Sequence, residues 1–311
     1  MHRQLLIKLL KVCVSACLII FLLYRIGVSS LLTTIGSANF FYLLLAFSMV
    51  VFGIVISAYK WRLLLAVLDI HIELPTLLSY YFVSMFWRNF LSTIGGEAIK
   101  IYYVSKHSGR TVESFTSVFL ERGTGLFALL LISVVTLIFG KDVDVDVGVA
   151  LVIVVLFTGY LVFLLAWFNG YLFERSMRLF GLLKSIFPIH KIRELRESVC
   201  MYKTHKKCLV KTLAISLVFQ ILSVITAAYV ISLSLGLRIP LPYFFLFCPI
   251  IGMLSMLPIS LNGIGVREGA YLFFFTKIGV SDAQSVSMSL IIYAMALVVS
   301  LIGGVVYAIK K

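Results

Sequence analysis

Apolar residues run along this chain in blocks rather than in alternation. Long runs cover roughly 5–24, 40–58, 115–139, 147–168, 209–235 and 284–308. Each is close to the ~20 residues that a helix needs to cross the hydrocarbon of a bilayer. Two further apolar stretches, roughly 77–94 and 241–275, are broken by polar residues, glycine or proline. No stretch shows the alternating pattern of a membrane β-strand. The pattern predicts an all-α integral membrane protein, with residues 1–311 forming a single polytopic domain.

Composition agrees. The chain is 61% hydrophobic and 13% charged, where a soluble domain is about 45–50% apolar and about 25% charged. A soluble globule of this length could not hide so much apolar surface. The net charge of +14 would suggest nucleic acid on a soluble protein. On a membrane protein it reads as loop charge meeting anionic lipid, so membrane lipids and no nucleic acid are the expected partners. Cys13, Cys17, Cys200, Cys208 and Cys248 show no CxxC pair and no Cys/His ligand spacing. No metal and no cofactor are therefore expected. The N-terminus resembles a signal peptide, but Lys8 and Lys11 interrupt it and no small-residue cleavage site precedes Arg25. It reads as an uncleaved first span.

Charge sets direction. The loop 140–147 holds three acids and one base, whereas 169–211 holds ten bases and three acids. Basic loops stay cytoplasmic, so the second loop belongs inside and the first outside. The N- and C-termini, with Arg3, Lys8, Lys11, Lys310 and Lys311, belong inside as well. Lys60 and Arg62 precede the stretch 77–94, and Lys100, Lys106 and Arg110 follow it, all on the cytoplasmic side. That stretch therefore begins and ends on one face, and by the same count 241–275 begins and ends on the other.

The prediction is six full transmembrane helices plus two opposed re-entrant helical hairpins. Broken segments in matching positions of two halves suggest an inverted-repeat-like arrangement with a midplane site. The first half, 1–168, holds the hairpin 77–100, and the second, 209–311, holds the hairpin 241–275. Between them, 169–208 reads as a cytoplasmic basic amphipathic loop. In it Phe173, Met177, Phe180 and Leu183 recur at helical spacing, Pro188 ends that helix, and a second helix covers about 190–204. Arg193 and Glu197 lie four apart on it.

Charges within the apolar background need partners or a wet cavity. Lys60-Trp61-Arg62 reads first as an interfacial anchor. Arg88 and Asn89 precede Gly95-Gly96-Glu97, with Lys100 one turn on. The two glycines allow a sharp turn with amides open to an anion. Arg88 and Glu97 either pair to fold the hairpin, or Arg88 and Lys100 hold a phosphate that Glu97 helps to orient. Glu121-Arg122-Gly123-Thr124-Gly125 lies early in a span. Adjacent helix residues point about 100° apart, so Glu121 and Arg122 should each meet a hairpin residue. Asn262-Gly263-Ile264-Gly265-Val266-Arg267-Glu268 is the counterpart at the second hairpin. Asp142, Asp144 and Asp146 read as a solvated turn rather than a calcium site. No catalytic motif is present.

Four pieces, in order, resemble the membrane domain of bacterial lysylphosphatidylglycerol synthases and their free-standing flippase-like relatives. They are Lys60-Trp61-Arg62-Leu63-Leu64, Gly95-Gly96-Glu97-Ala98-Ile99-Lys100, Glu121-Arg122-Gly123-Thr124-Gly125 and Gly263-Ile264-Gly265-Val266-Arg267-Glu268-Gly269. Lys100 stands where that family often has Arg, which gives up bidentate geometry. The resemblance implies a lipid-translocating domain; the chain stops at Lys311, so no soluble aminoacyltransferase domain is expected.

The expected function is an inner-membrane flippase or transporter for an anionic, aminoacylated or polyprenyl-phosphate-linked lipid. Arg88, Glu97, Lys100, Glu121, Arg122, Asn262, Arg267 and Glu268 would bind the substrate, and Gly95, Gly96, Gly263 and Gly265 would shape the hairpin backbones. A membrane-embedded transferase on lipid-linked sugars, or a scaffold built on the basic loop, are the alternatives. A second copy of the chain and a lipid-synthesis enzyme are the protein partners considered.

Overall fold

A computed structural model describes residues 18, 20–140, 146–179, 189–257 and 260–309; the side chains of 91–94, 176–179, 189–191 and 261 are outside the description. There is no strand among the described residues. After helical backbone over 20–26 come α1 (Val28–Gly36), α2 (Phe40–Val67), α3 (Leu74–Ser108), α4 (Thr111–Phe139), α5 (Val147–Phe168), α6 (Gly170–Leu179) and α7 (Ile189–Cys200). They are followed by α8 (Lys206–Ser234), α9 (Leu241–Met256), α10 (Val266–Thr276) and α11 (Asp282–Ile309).

Five helices, α2, α4, α5, α8 and α11, are long and apolar enough to cross a membrane. They match five of the six predicted spans. The predicted span 5–24 falls mostly outside the described residues. In α5 only Ile153 is buried, while Val152, Val154, Val155, Val162 and Leu165 are exposed. A helix apolar all round yet uncovered by protein needs lipid around it.

Local chemistry fixes the helix ends. The Asn39 side chain accepts the Phe41 amide at 3.0 Å, and Asp146 accepts the Gly148 amide at 2.8 Å. Each satisfies a donor that the first turn leaves open. Asp146 is thus a helix cap, while Asp142 and Asp144 lie outside the described residues. Asn169 caps α6 in the same way, accepting from Tyr171 at 3.0 Å. Gly109, at φ +73, closes α3 as its amide donates to the Ser105 carbonyl at 2.8 Å. Within the basic loop Arg193 pairs with Glu174 of α6 at 3.1 Å rather than with Glu197. Met177, Phe180, Leu183 and Pro188 are outside the description.

The two broken segments both double back. α3 has helical backbone throughout, yet a straight helix would hold Ser84 and Gly96 about 18 Å apart. Instead Ser84 Oγ donates to the Gly96 carbonyl at 2.8 Å, and the Tyr80 and Tyr103 rings stack at 4.9 Å. The reversal lies between Arg88 and Gly96. Gly95 and Gly96 do not take left-handed backbone there; both stay helical. Gly96 instead permits contact: a Cβ there would sit 2.9 Å from the Ser84 carbonyl and from Arg88 Cβ. α9 and α10 form the second hairpin, with Phe247 against Phe274 at 5.1 Å. Its tip is irregular, with Asn262, Gly263 and Gly265 at φ +50, +76 and +84. The two tips that look alike in sequence therefore fold differently.

The larger apolar core joins α8, α9, α10 and α11 around Ile231, Phe244, Phe275 and Met288. A second core, around Trp61, Leu64, Leu77, Val104 and Tyr202, lies where α2 ends and α3 begins and ends. There Tyr202 donates to the Leu64 carbonyl at 2.6 Å; burial pushes its phenol up, which keeps the donor in place. α11 packs against the first hairpin so closely that a methyl on Gly303 would overlap the Phe82 carbonyl. Replacing Gly303 by Ala should destabilise the protein by about 1–3 kcal/mol. Gly269→Ala, where a Cβ meets nothing within 4 Å, should change it by less than about 0.5 kcal/mol. Thermal unfolding in detergent distinguishes the two, and equal midpoints would refute the close packing.

Candidate functional site

The charges inside the bundle form two groups that the hairpins bring together. The first hangs on Glu121 of α4, whose side chain is 5% exposed. Its Oε2 lies 2.7 Å from Lys100 Nζ, and its Oε1 accepts the Tyr81 hydroxyl at 2.9 Å. Lys60 Nζ, from α2, donates to the Glu121 carbonyl at 3.0 Å and to Ser216 Oγ of α8 at 3.1 Å. Lys100, 1% exposed, also lies 2.7 Å from Glu97 Oε2, one helical turn before it. Its ammonium sits over the rings of Tyr81 at 4.6 Å and Trp61 at 5.2 Å. The other oxygen of Glu97 takes Arg122. One connected network thus ties α2, both arms of α3, α4 and α8.

Several expectations are resolved by this geometry. Glu121 and Arg122 do each meet a hairpin residue, Lys100 and Glu97. Arg88 and Glu97 do not pair, because Glu97 is occupied by Lys100 and Arg122. Lys60-Trp61-Arg62 is not a plain interfacial anchor: Lys60 and Trp61 are buried and only Arg62 is exposed. Trp61 donates to Ser117 Oγ at 3.0 Å. The reason is helical phase, which turns Lys60 and Trp61 toward α4 and α8 and leaves Arg62 outward.

The second group sits on α10. Glu268 Oε2 accepts the Gly265 amide at 2.6 Å, which caps the helix. Its Oε1 accepts Arg267 Nη2 at 2.9 Å and Ser289 Oγ at 2.9 Å. The Arg267 guanidinium lies 5.0 Å from the Tyr293 ring centroid. Arg267 thus has an acid, a hydroxyl and a ring around it, and is 15% exposed.

The hairpins touch through amides. Asn262 Nδ2 donates to Asn89 Oδ1 at 3.2 Å, and Asn89 Nδ2 donates to Ser300 Oγ of α11 at 2.8 Å. Arg88 lies beside this contact. Its Nε is buried and has no partner among the described residues. It makes no ion pair there either, yet it lies within charge range of both Arg122 and Arg267. Arg122 is 36% exposed and forms part of the wall of a lateral groove of about 570 Å³ between α4 and α5. Phe119, Phe127, Tyr160, Phe163 and Trp167 make that groove apolar.

Tyr81, Ser289 and Ser300 complete these contacts and were not picked out by sequence; Asn89 was named beside Arg88 but given no role. A lone hydroxyl or amide in an apolar run carries no charge signal, and serine is common in membrane helices. No group of three metal-ligating side chains occurs among the described residues.

Lys100 keeps two carboxylates company in a buried place. Lys100→Met should lower stability by about 3–5 kcal/mol, the usual cost of an orphaned buried charge. Adding Glu121→Leu should restore more than half of the loss, because one orphan goes with it. Thermal unfolding of the single and double variants checks this; additive losses would refute the pairing.

Residues 8–304 match the model of the lysylphosphatidylglycerol synthase TM region. UPF0104 membrane protein PH1989 of Pyrococcus horikoshii is 23% identical, over 96% of this chain and 96% of its own. A UPF0104 membrane protein of Methanothermobacter thermautotrophicus is also 23% identical, over 94% of this chain and 91% of its own. No solved structure matches the chain. With three of its four charged motifs tied into one network, the fourth beside it on α10, and residues 8–304 matched, the chain belongs to the lysylphosphatidylglycerol synthase TM region family.

Proposed function

We propose that this protein moves the headgroup of an anionic lipid between leaflets of the cytoplasmic membrane. The observation that carries the reading is Arg88. It is a guanidinium inside the bundle with no acidic partner among the described residues, next to Asn89 where the two hairpins meet and within charge range of Arg122 and Arg267. A charge held inside a membrane bundle at that cost marks a substrate path. In this reading the two doubled-back segments are re-entrant hairpins from opposite faces, set among six spans. The basic ends of the helices and both termini face the cytoplasm. Arg88, Arg122 and Arg267 receive the headgroup phosphate, aided by Asn262. Lys100, Glu97, Glu121 and Glu268 hold those groups in place.

Each of the three carboxylates already faces a cation. That supports a positioning role for them over acid–base chemistry, and so supports transport over a transferase. The apolar groove beside Arg122 gives the lipid tails a place outside the charged centre.

The test is headgroup exchange in phosphatidylcholine vesicles doped with a fluorescent phosphatidylglycerol. Wild-type protein should bring outer-leaflet quenching past one half. The Arg88→Ala/Arg267→Ala variant should slow the exchange at least tenfold while eluting as a folded species. Equal rates for the two would overturn the mechanism.

A further inference from the structure

The charges inside the bundle do not balance. Lys60, Arg88, Lys100, Arg122 and Arg267 face only Glu97, Glu121 and Glu268, so five cations share three carboxylates among the described residues. Lys60 meets a carbonyl and a hydroxyl rather than a carboxylate oxygen, and Arg88 meets no acid. The surplus is two positive charges in a place where uncompensated charge is costly. Of the cations, Arg122 is both partly exposed and open to the apolar groove. A guanidinium has five donors, and the single ion pair to Glu97 leaves others for a ligand.

A matching ligand brings about two negative charges, several acceptor oxygens and a hydrocarbon chain. A phosphate monoester carries about −1.5 to −2 near neutral pH and presents three acceptor oxygens. A phosphodiester such as phosphatidylglycerol carries a single charge, and a lysyl ester of it carries a net positive one. Resting on the transport reading above, we propose that the site is built for a lipid ending in an unsubstituted phosphate or diphosphate. Its phosphate lies between Arg88 and Arg122 and its chain lies in the groove lined by Phe119, Phe127, Tyr160 and Trp167. Aminoacylated lipids are disfavoured, because their ammonium would add to a surplus that is already positive. The assignment runs from charge count and shape: Arg planarity suits phosphate oxygens, and the groove volume lies within the range of small-molecule sites.

The experiment measures binding of dioleoyl phosphatidic acid, dioleoyl phosphatidylglycerol and lysyl-phosphatidylglycerol to the purified full chain in neutral detergent, by native mass spectrometry. Phosphatidic acid should bind at least tenfold more tightly than phosphatidylglycerol, and the lysyl lipid most weakly. Arg88→Gln should reduce the preference for phosphatidic acid to twofold or less, whereas Arg88→Lys should keep most of it. Arg193→Gln, in the basic loop, should leave it unchanged. Inorganic phosphate at the same concentration should compete weakly, because it has nothing to place in the groove. Competition by inorganic phosphate equal to that of phosphatidic acid would remove the lipid from the assignment. Equal binding of the two phospholipids, or an unchanged preference in Arg88→Gln, would overturn it. If phosphatidylglycerol still crosses vesicles at an Arg88-dependent rate while the preference is absent, the headgroup assignment falls and the transport reading stands.

Discussion

A carboxylate at 5% exposure among apolar helices can exist as an ion only if cations and hydroxyls replace the water it has lost, and Glu121 has both. That constraint organises the surrounding fold. The pairing of Glu121 with Lys100 fixes the returning arm of α3 against α4 in depth and rotation. Slipping that arm by one residue would swing Lys100 and Glu97 together by about 100° and strand Glu121 and Arg122 of α4 at once. The Lys60 contact to the Glu121 carbonyl and to Ser216 extends the same lock to α2 and α8. Apolar side chains are interchangeable over small slips, whereas these charges are not, so the network sets the register of helices that lipid alone would leave loosely specified.

The two hairpins reach similar sequences by different physics. In the first, Glu97 precedes Lys100 by three, so both lie on one helical face and pair across a turn. In the second, Arg267 precedes Glu268, which is the third helical residue after Gly265. Glu268 therefore reaches back to the Gly265 amide and caps the helix. The second tip needs left-handed backbone at Gly263 and Gly265 to make that entry, whereas the first reverses within helical backbone and uses Gly96 for close approach. A shared set of glycine, acid and base thus serves a clamp between helices in one half and a helix start in the other.

This difference also marks how much was legible beforehand. The apolar runs gave five spans, four of them to within four residues at each end, while α2 continues past its run to Val67, because hydropathy over some twenty positions is insensitive to any one residue. Polar, glycine and proline breaks marked the two segments that double back. Partners were harder. That Glu121 and Arg122 must point apart follows from helix geometry alone, and each duly meets a hairpin residue. That Lys60 is buried while Arg62 is exposed depends on the phase of α2 against its neighbours, which the hydrophobic pattern does not encode when nearly every position is apolar. The Asn262–Asn89 bond joins residues 173 apart and leaves no local mark in either segment.

The strengths of these links differ in a way that bears on movement. The first hairpin is held by a buried ion network and by the close contact of α11 at Gly303. Pulling it away from α4 would strand charges at a cost of several kcal/mol each. Among the described residues the second hairpin bonds to the first through one neutral amide pair at 3.2 Å, an interaction worth about 0.5–1.5 kcal/mol. Arg267 and Glu268 carry their own partners on α10 and α11, so a shift of the tip need not break them. The contact beside Arg88 is therefore the cheapest polar junction in the charged centre to open. It is also the place where a cation lacks an acid, so an anion arriving there could offset the lost amide bond with a charge-assisted one.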